Sequence, residues 1–316
     1  MSRFSIRHIT RYRYEEPVRD SANQIMLYPL RDAFQDVSRH QVIVSGDPAV
    51  FLYEDYYGNQ IGTFSHPHPH QTLEIDSRLW IATKPRPLPE DVKPAAELWL
   101  ELATVAGQPP YLDYLLQEHF SALPRMQHLV GSGLPADASP LRVALDFCSF
   151  VYQTFAYQKG ITTVETTLDE IWNLKSGVCQ DFAHILLAML RLRQIPARYV
   201  SGYICPNRSG MRGEGATHAW VEAFLPQYGW LGLDPTNNCV ANDTHVRLAV
   251  GRNYADCAPV KGTYRGTAPH AMEVAVSVGY EDGHSTELVS EVAEPQPVTT
   301  FSANSYRRQQ DAQMQQ

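Results

Sequence analysis

Residues 1–84 alternate apolar and polar positions in short runs. From Phe4 to Tyr12 every second residue is aromatic, aliphatic or weakly polar, and the residues between them are polar or charged except Ile9. A period of two is typical of a half-buried strand. Further β-like runs follow at Val42–Val44, Val50–Tyr53 and Leu73–Ile81. We therefore predict an all-β domain over residues 1–84.

The pattern changes after a linker. Lys84–Pro89 carries proline at every second position, which favours a stiff, extended segment. Pro94–Val105 and Tyr111–Phe120 then show helix-like apolar spacing. We assign residues 85–138 to a linker and helical segment.

A third region, residues 139–285, opens with a helix signal. Ser139–Pro140 combines an N-cap residue with proline at the first helical position. Thr167–Glu170 fits a capping box that starts a second, short helix. Alternation in Ala271–Tyr280 predicts a strand at the end of this region. The polar, Gln-rich residues 286–316 are predicted to be a disordered tail.

The most apolar stretch of the chain predicts a central helix. Phe182–Leu192 is apolar at all but two positions, which is typical of a helix buried on nearly all sides. Ser176–Gly177 precedes this helix and Pro196 lies beyond its end. Cys179 therefore falls in the first turn. Unpaired backbone N–H groups and the positive end of the helix dipole favour a thiolate there and could hold an oxyanion.

The position of Cys179 alone leaves two interpretations open. A free cysteine is often a small buried apolar residue, and it can also be a nucleophile. We interpret the missing side chain of Gly177 as room for a substrate backbone.

Two alternating segments after the central helix supply a base and its partner. Thr217–Phe224 predicts a strand that carries His218, and Trp230–Asp234 predicts the strand paired with it. A proline follows Asp234 and holds it in an extended conformation. Nucleophile, base and orienting residue would then follow the chain order Cys179, His218, Asp234.

The pairing register decides whether His218 and Asp234 can meet. A four-residue loop, with Leu225 opposite Trp230, puts the carboxylate on the wrong face of the sheet. A three-residue loop, with Leu225 opposite Gly229, puts it diagonal to the imidazole and within reach. The hypothesis of a catalytic triad therefore predicts an odd loop length or a bulge.

These segments resemble the bacterial transglutaminase-like superfamily. The resemblance rests on Gly177–Ala183, Arg198–Tyr203, His218–Glu222 and Trp230–Thr236. A looser match to the β-rich domain that often precedes such a core covers Ile9–Tyr14, Asn23–Pro29 and Asp55–Asn59.

The resemblance implies an α+β, papain-like or transglutaminase-like core, with the cysteine-bearing helix packed on an antiparallel sheet, behind an N-terminal all-β domain. It implies Cys179 as nucleophile, His218 as general base and acid, and Asp234 as the residue that orients the histidine. The backbone N–H of Cys179 is the one oxyanion donor that we can name.

The implied activity is acyl transfer from an amide through a thioester. We expect hydrolysis of a peptide or amide bond, because water is the default acceptor. A protein-glutamine transglutaminase and a catalytically inert binding module are the alternatives.

Composition disfavours other classes of function. A net charge of −8 has the wrong sign for binding nucleic acid or an anionic membrane surface. Met1–His8 shows no secretory signal. No apolar run approaches the ~20 residues of a membrane span. The five cysteines lack a Cys-x-x-Cys pair. We expect a cytoplasmic protein whose partner is a peptide, protein or other amide substrate. The sequence does not specify an oligomeric state.

No cofactor or metal site is predicted. The imidazoles of His66–His70 could bind a transition metal, but the two prolines between them favour a solvated loop. His184 is expected to be structural, because on a helix it points away from Cys179. Asn207–Gly215 is predicted to be a loop that borders the substrate site.

Overall fold

The computed structural model describes residues 1–132, 135, 137–205, 211–213, 217–267 and 269–280, and the backbone of 290–292. These residues belong to two compact units. The first, called the β unit, comprises Ser2–Ala82 and the described residues from Ala258 onward. The second, called the core, comprises Thr83–Cys257, together with Met1.

The β unit begins with five strands. They are β1 (Ser2–Ile25), β2 (Gln35–Val44), β3 (Phe51–Glu54), β4 (Gln60–His66) and β5 (His70–Thr83). The alternating face of β1 is buried at Phe4, Ile6, His8 and Thr10. The predicted strand-rich N-terminal region is therefore confirmed.

The core continues the chain with helices and short strands. Its first half contains α1 (Ala95–Ala106), a 3-10 helix (Tyr111–Leu115), α2 (Leu123–Ser132), α3 (Pro140–Thr154), β6 (Ala156–Tyr157), α4 (Leu168–Leu174), β7 (Ser176–Gly177) and α5 (Cys179–Leu192). Its second half contains β8 (Ala197–Ile204), β9 (Thr217–Leu225), β10 (Gly229–Asp234), β11 (Cys239–Val240), β12 (His245–Gly251) and α6 (Tyr254–Cys257). The predicted helix over Tyr111–Phe120 is thus only a short 3-10 helix.

Local signals in the sequence set the ends of two core helices. The Ser139 hydroxyl oxygen accepts a hydrogen bond from the Arg142 N–H at 3.1 Å and caps α3. Thr167 and Glu170 form the expected capping box at the start of α4. Both interactions satisfy N–H groups that have no partner inside the helix.

The central helix α5 lies on an antiparallel sheet. Within the described residues this sheet has five strands in the order β11-β10-β9-β8-β12. Helix α5 contacts β8, β9, α3 and α4, and ten of its fourteen residues are buried. This is the predicted α+β arrangement. No helix in the described parts of the chain is long and apolar enough to cross a membrane.

The end of the chain differs from the expectation. The final elements are β13 (Val260–Arg265), β14 (His270–Tyr280) and β15 (Ser290–Val292). The predicted strand over Ala271–Tyr280 exists, but it belongs to the β unit and not to a core reaching residue 285. The reason is its pairing, since β14 runs antiparallel to β1 from Phe4 to Tyr14.

The predicted tail over residues 286–316 also needs a correction. Strand β15 lies inside this range and pairs with β14, with Val292 opposite Val274. The remainder of the predicted tail lies outside the described residues.

Arg191 fastens the C-terminal end of α5. Its guanidinium is buried and donates hydrogen bonds to four backbone carbonyls, those of Tyr114, Leu116, Ala197 and Arg252. These carbonyls belong to the 3-10 helix and its exit, to the start of β8 and to the segment after β12. One side chain therefore ties three segments to the helix that carries Cys179.

We expect Arg191→Met to lower the free energy of unfolding by about 3 kcal/mol, because a methionine leaves the buried carbonyls without donors. Urea denaturation of the whole chain measures this change. Arg125→Met on the exposed face of α2 is the matched control and should change the free energy by less than about 0.5 kcal/mol. Equal effects of the two substitutions would contradict this role of Arg191.

Candidate active site

Cys179 is the first residue of α5 and is half-buried. The residue before it, Val178, has an extended backbone and serves as the N-cap. A carboxylate one turn on, Asp181, accepts hydrogen bonds from the Val178 N–H and the Thr162 hydroxyl, each at 2.7 Å. These bonds hold the turn on which the thiol sits.

The glycine at 177 serves Asp181 and not a substrate. A Cβ at Gly177 would lie 2.3 Å from Oδ2 of Asp181, closer than any real contact of that kind. The missing side chain therefore makes room for the buried carboxylate. Our expectation that it admits a substrate backbone is wrong, because the space is already filled.

The strands β9 and β10 pair in the register that brings histidine and carboxylate together. Leu225 lies opposite Gly229, so the loop between the strands has three residues. Gln227 and Gly229 adopt positive φ angles of 67° and 91° and turn the chain tightly. Asp234 follows Leu233, which lies opposite Val221, and so falls on the same face as His218.

His218 and Asp234 form a buried pair. Nε2 of His218 lies 2.9 Å from Oδ2 of Asp234, and both side chains are 0% exposed. The other ring nitrogen, Nδ1, is buried without a nitrogen or oxygen partner among the described residues. It is therefore the nitrogen left for the thiol of Cys179.

The charge state of His218 reflects these neighbours. Burial of the ring acts to lower the pKa of His218. The negative charge of Asp234 and the interactions with Cys179, a hydrogen bond included, outweigh burial and raise this pKa to about 10. The imidazolium form therefore predominates at neutral pH.

Asp234 is saturated with hydrogen-bond donors. Its Oδ1 accepts from the backbone N–H groups of Thr236 at 2.9 Å and Asn237 at 3.3 Å. Its Oδ2 also accepts from Nδ2 of Asn237 at 2.7 Å and lies 3.3 Å from Nε2 of His245. Burial acts to raise the pKa of Asp234, but His218 and His245 hold it well below its usual value.

Two family models match the chain in succession. The bacterial transglutaminase-like N-terminal region matches residues 4–82, and the transglutaminase-like superfamily matches residues 131–235. An uncharacterized protein of Mycobacterium tuberculosis is 34% identical over 294 residues, which cover 87% of this chain and 92% of the relative. The chain belongs to the transglutaminase-like superfamily. This membership supports a cysteine-dependent activity.

A solved structure shares the fold of this transglutaminase-like protein. The crystal structure of a proposed cysteine protease from Cytophaga hutchinsonii matches it with a TM-score of 0.70 at 20% identity, over 96% of this chain and 95% of the other. A more local likeness, 34% identity over 121 residues, relates 36% of this chain to 18% of a protein-glutamine gamma-glutamyltransferase from Pseudomonas aeruginosa.

His245 is the member of the transglutaminase-like site that the sequence did not reveal. It begins β12, at the far edge of the sheet from β10, and its Nδ1 lies 3.2 Å from the Thr244 hydroxyl. Burial lowers the pKa of His245 in spite of Asp234, so the ring is neutral at neutral pH. No motif or spacing links it to Asp234, whereas Asp234-Pro235-Thr236-Asn237 could have been recognised as a turn in which a carboxylate bonds the following N–H groups.

Metal binding has limited support. Among the described residues, one set of three possible ligands gathers, namely His218, Asp234 and His245, with ligand atoms within 4.8 Å of one another. These atoms are already engaged in hydrogen bonds. In the β unit the rings of His66 and His70 lie 4.2 Å apart, yet no third ligand gathers with them in the described chain.

Two further sequence predictions can be compared with the transglutaminase-like core. His184 is structural, as expected, since its Nε2 accepts the Tyr254 N–H at 3.2 Å. Of the predicted loop Asn207–Gly215, only residues 211–213 are described, and the rest lies outside the described residues. Gly213 has a φ of +81°, and a Cβ there would lie 2.8 Å from Nδ1 of His218, so this part of the loop does border the site.

We expect Asp234→Asn to lower the pH at which His218 titrates by about 1–3 units, because the substitution removes the charge that holds the proton. Titration of the imidazole by NMR, from a starting pKa of about 10, measures the change. Asp146→Asn, a change to a surface pair with Arg142 on α3, is the control and should leave the titration in place. An unchanged titration in Asp234→Asn would show that the carboxylate does not set the charge of His218.

Proposed function

We propose that this protein is a cysteine-dependent enzyme that cleaves an amide by acyl transfer through a thioester, with water as the main acceptor. The observation that carries the proposal is His218. It is buried, is bonded through Nε2 to Asp234 and interacts with the thiol of Cys179. Nucleophile, proton carrier and orienting carboxylate are the groups that this chemistry requires.

In the first step the thiolate of Cys179 attacks the carbonyl carbon of the amide. The backbone N–H of Cys179, at the N-terminus of α5, donates to the oxyanion that forms. The imidazolium of His218 gives its proton to the leaving nitrogen. The carbon–nitrogen bond breaks, the amine departs, and the acyl group remains on sulfur as a thioester.

In the second step neutral His218 takes a proton from water, and the hydroxide attacks the thioester carbon. The carbon–sulfur bond breaks and the carboxylic acid leaves, which restores the thiolate and the imidazolium. Asp234 keeps its negative charge throughout because its pKa lies well below the usual value. It orients the ring and does not take the proton.

Attack by the thiolate makes the imidazolium of His218 a better proton donor. The negative charge on Cys179 is one of the causes that raise the pKa of His218. This charge leaves the sulfur when the sulfur bonds to the carbonyl carbon, before the carbon–nitrogen bond breaks, so the imidazolium becomes a stronger acid as the leaving amine needs a proton. The electrostatics of the pair therefore favour the forward direction.

Transfer to an amine is the second candidate function. The observation that favours it is the local likeness to a protein-glutamine gamma-glutamyltransferase. Incorporation of a fluorescent primary amine into casein distinguishes it from hydrolysis. An inert binding module is disfavoured, because the thiol is half-buried and all three groups are present.

The proposal predicts how Cys179 reacts with iodoacetamide. We expect the wild-type thiol to react at pH 6 at least about tenfold faster than a free thiol, because cysteines beside a histidine at a helix N-terminus are activated as nucleophiles. His218→Ala should remove this excess. Peptide mapping by mass spectrometry reads Cys179 separately from the other four cysteines.

His128→Ala, at an exposed position on α2, is the matched control and should react as the wild type does. Cys239, which is also half-buried, provides an internal comparison. If Cys179 reacts no faster than Cys239, and equally in both histidine variants, then the proposed pair does not activate the thiol and the proposal fails.

A further inference from the structure

Arg212 is held beside the site by its backbone. Its N–H donates to Oδ1 of Asn237 at 2.7 Å, and its carbonyl accepts from Nδ2 of Asn237 at 3.1 Å. The same Nδ2 lies 2.7 Å from Oδ2 of Asp234. Arg212 is therefore tied, through one asparagine, to the carboxylate that orients His218.

The next residue places Arg212 at the reactive edge of the imidazole. A Cβ at Gly213 would lie 2.8 Å from Nδ1 of His218, so the chain passes directly over this nitrogen. Since Nε2 is used by Asp234, Nδ1 is the edge that serves Cys179. Arg212 is thus the residue directly before the one that passes over this nitrogen.

The side chain of Arg212 contacts two tyrosine rings and is still exposed. Its guanidinium lies 4.9 Å from the ring of Tyr152 and 5.9 Å from the ring of Tyr157. One of its five N–H donors is 3.5 Å from the carbonyl of Thr236. No carboxylate of a described residue pairs with it, which leaves a positioned cation with donors facing solvent.

Tyr157 connects this cation to the nucleophile. It lies in β6 opposite Gly177 of β7. Gly177 is two residues before Cys179. Burial, and after it the negative charge of Cys179, raise the pKa of Tyr157 to about 12, against the positive charge of Arg212, which lowers it. The pKa of the Tyr157 hydroxyl therefore depends on both the thiol of Cys179 and the guanidinium of Arg212.

We propose that Arg212 binds a carboxylate of the acyl donor, close to the amide that is cleaved, so that acidic peptides or amides with a neighbouring carboxylate are preferred substrates. The proposal rests on the function proposed above. A guanidinium suits this role because its planar fork pairs with a carboxylate through two hydrogen bonds. The chain as a whole carries a charge of −8, which repels anions. Attraction of a substrate carboxylate to the site therefore requires a local cation such as Arg212.

Two alkylating reagents that share a leaving group test this proposal. Iodoacetate carries a carboxylate and iodoacetamide is neutral, so the ratio of their rates at Cys179 measures local attraction for the anion. We expect Arg212→Gln to lower this ratio roughly fivefold, as expected for two unit charges within about 8 Å at a protein–water boundary. The rate with iodoacetamide should stay within about twofold of the wild type, since the reagent carries no charge.

Two further variants make the result decisive. Arg212→Lys keeps the charge and loses the planar fork, so its ratio should lie between those of the wild type and Arg212→Gln. Arg125→Gln on α2 is the control and should not change the ratio. The proposal is overturned if Arg212→Gln and Arg125→Gln give the same ratio, or if Arg212→Gln slows both reagents equally. A failure of the proposed function would instead appear as an iodoacetamide rate that does not depend on His218.

Discussion

The site depends on one buried charge, the carboxylate of Asp234. A buried carboxylate is strongly destabilising unless donors surround it, and here donors come from His218, Asn237, His245 and two backbone N–H groups. Each donor constrains part of the fold. The register of β9 and β10, the turn after Asp234 and the start of β12 each bring a donor to this group.

Helix α5 supplies the second half of the arrangement by holding Cys179 still. At its N-terminal end, the Asp181 carboxylate bonds Val178 and Thr162 and fills the space beside Gly177. At its other end, Arg191 bonds four backbone carbonyls. A nucleophile carried on a helix secured at both ends keeps its position relative to the sheet that carries the base.

Local signals made much of this core predictable from the sequence. The apolar run of α5 and the caps at Ser139 and Thr167 determine helix positions through contacts within a few residues. The requirement that Asp234 and His218 meet selected the three-residue loop between β9 and β10, and the structure has that loop. Each of these arguments depends on neighbours along the chain.

Contacts between distant segments were not predictable in the same way. His245 reaches Asp234 across the sheet, and no spacing in the sequence records this approach. Gly177 was misinterpreted because the side chain that fills its space, that of Asp181, is recognised only in three dimensions. The sequence places β14 in the core because no local signal marks its pairing with β1. That pairing joins residues more than 250 positions apart.

The central claim is that Cys179 carries the acyl group during turnover. Brief reaction of the whole chain with an activated ester, followed by intact-mass measurement and peptide mapping, tests it most directly. The account predicts one acyl group on Cys179 in the wild type, formed much more slowly in His218→Ala and absent in Cys179→Ala. Acylation that is equal in all three proteins, or that maps to another residue, would contradict the account.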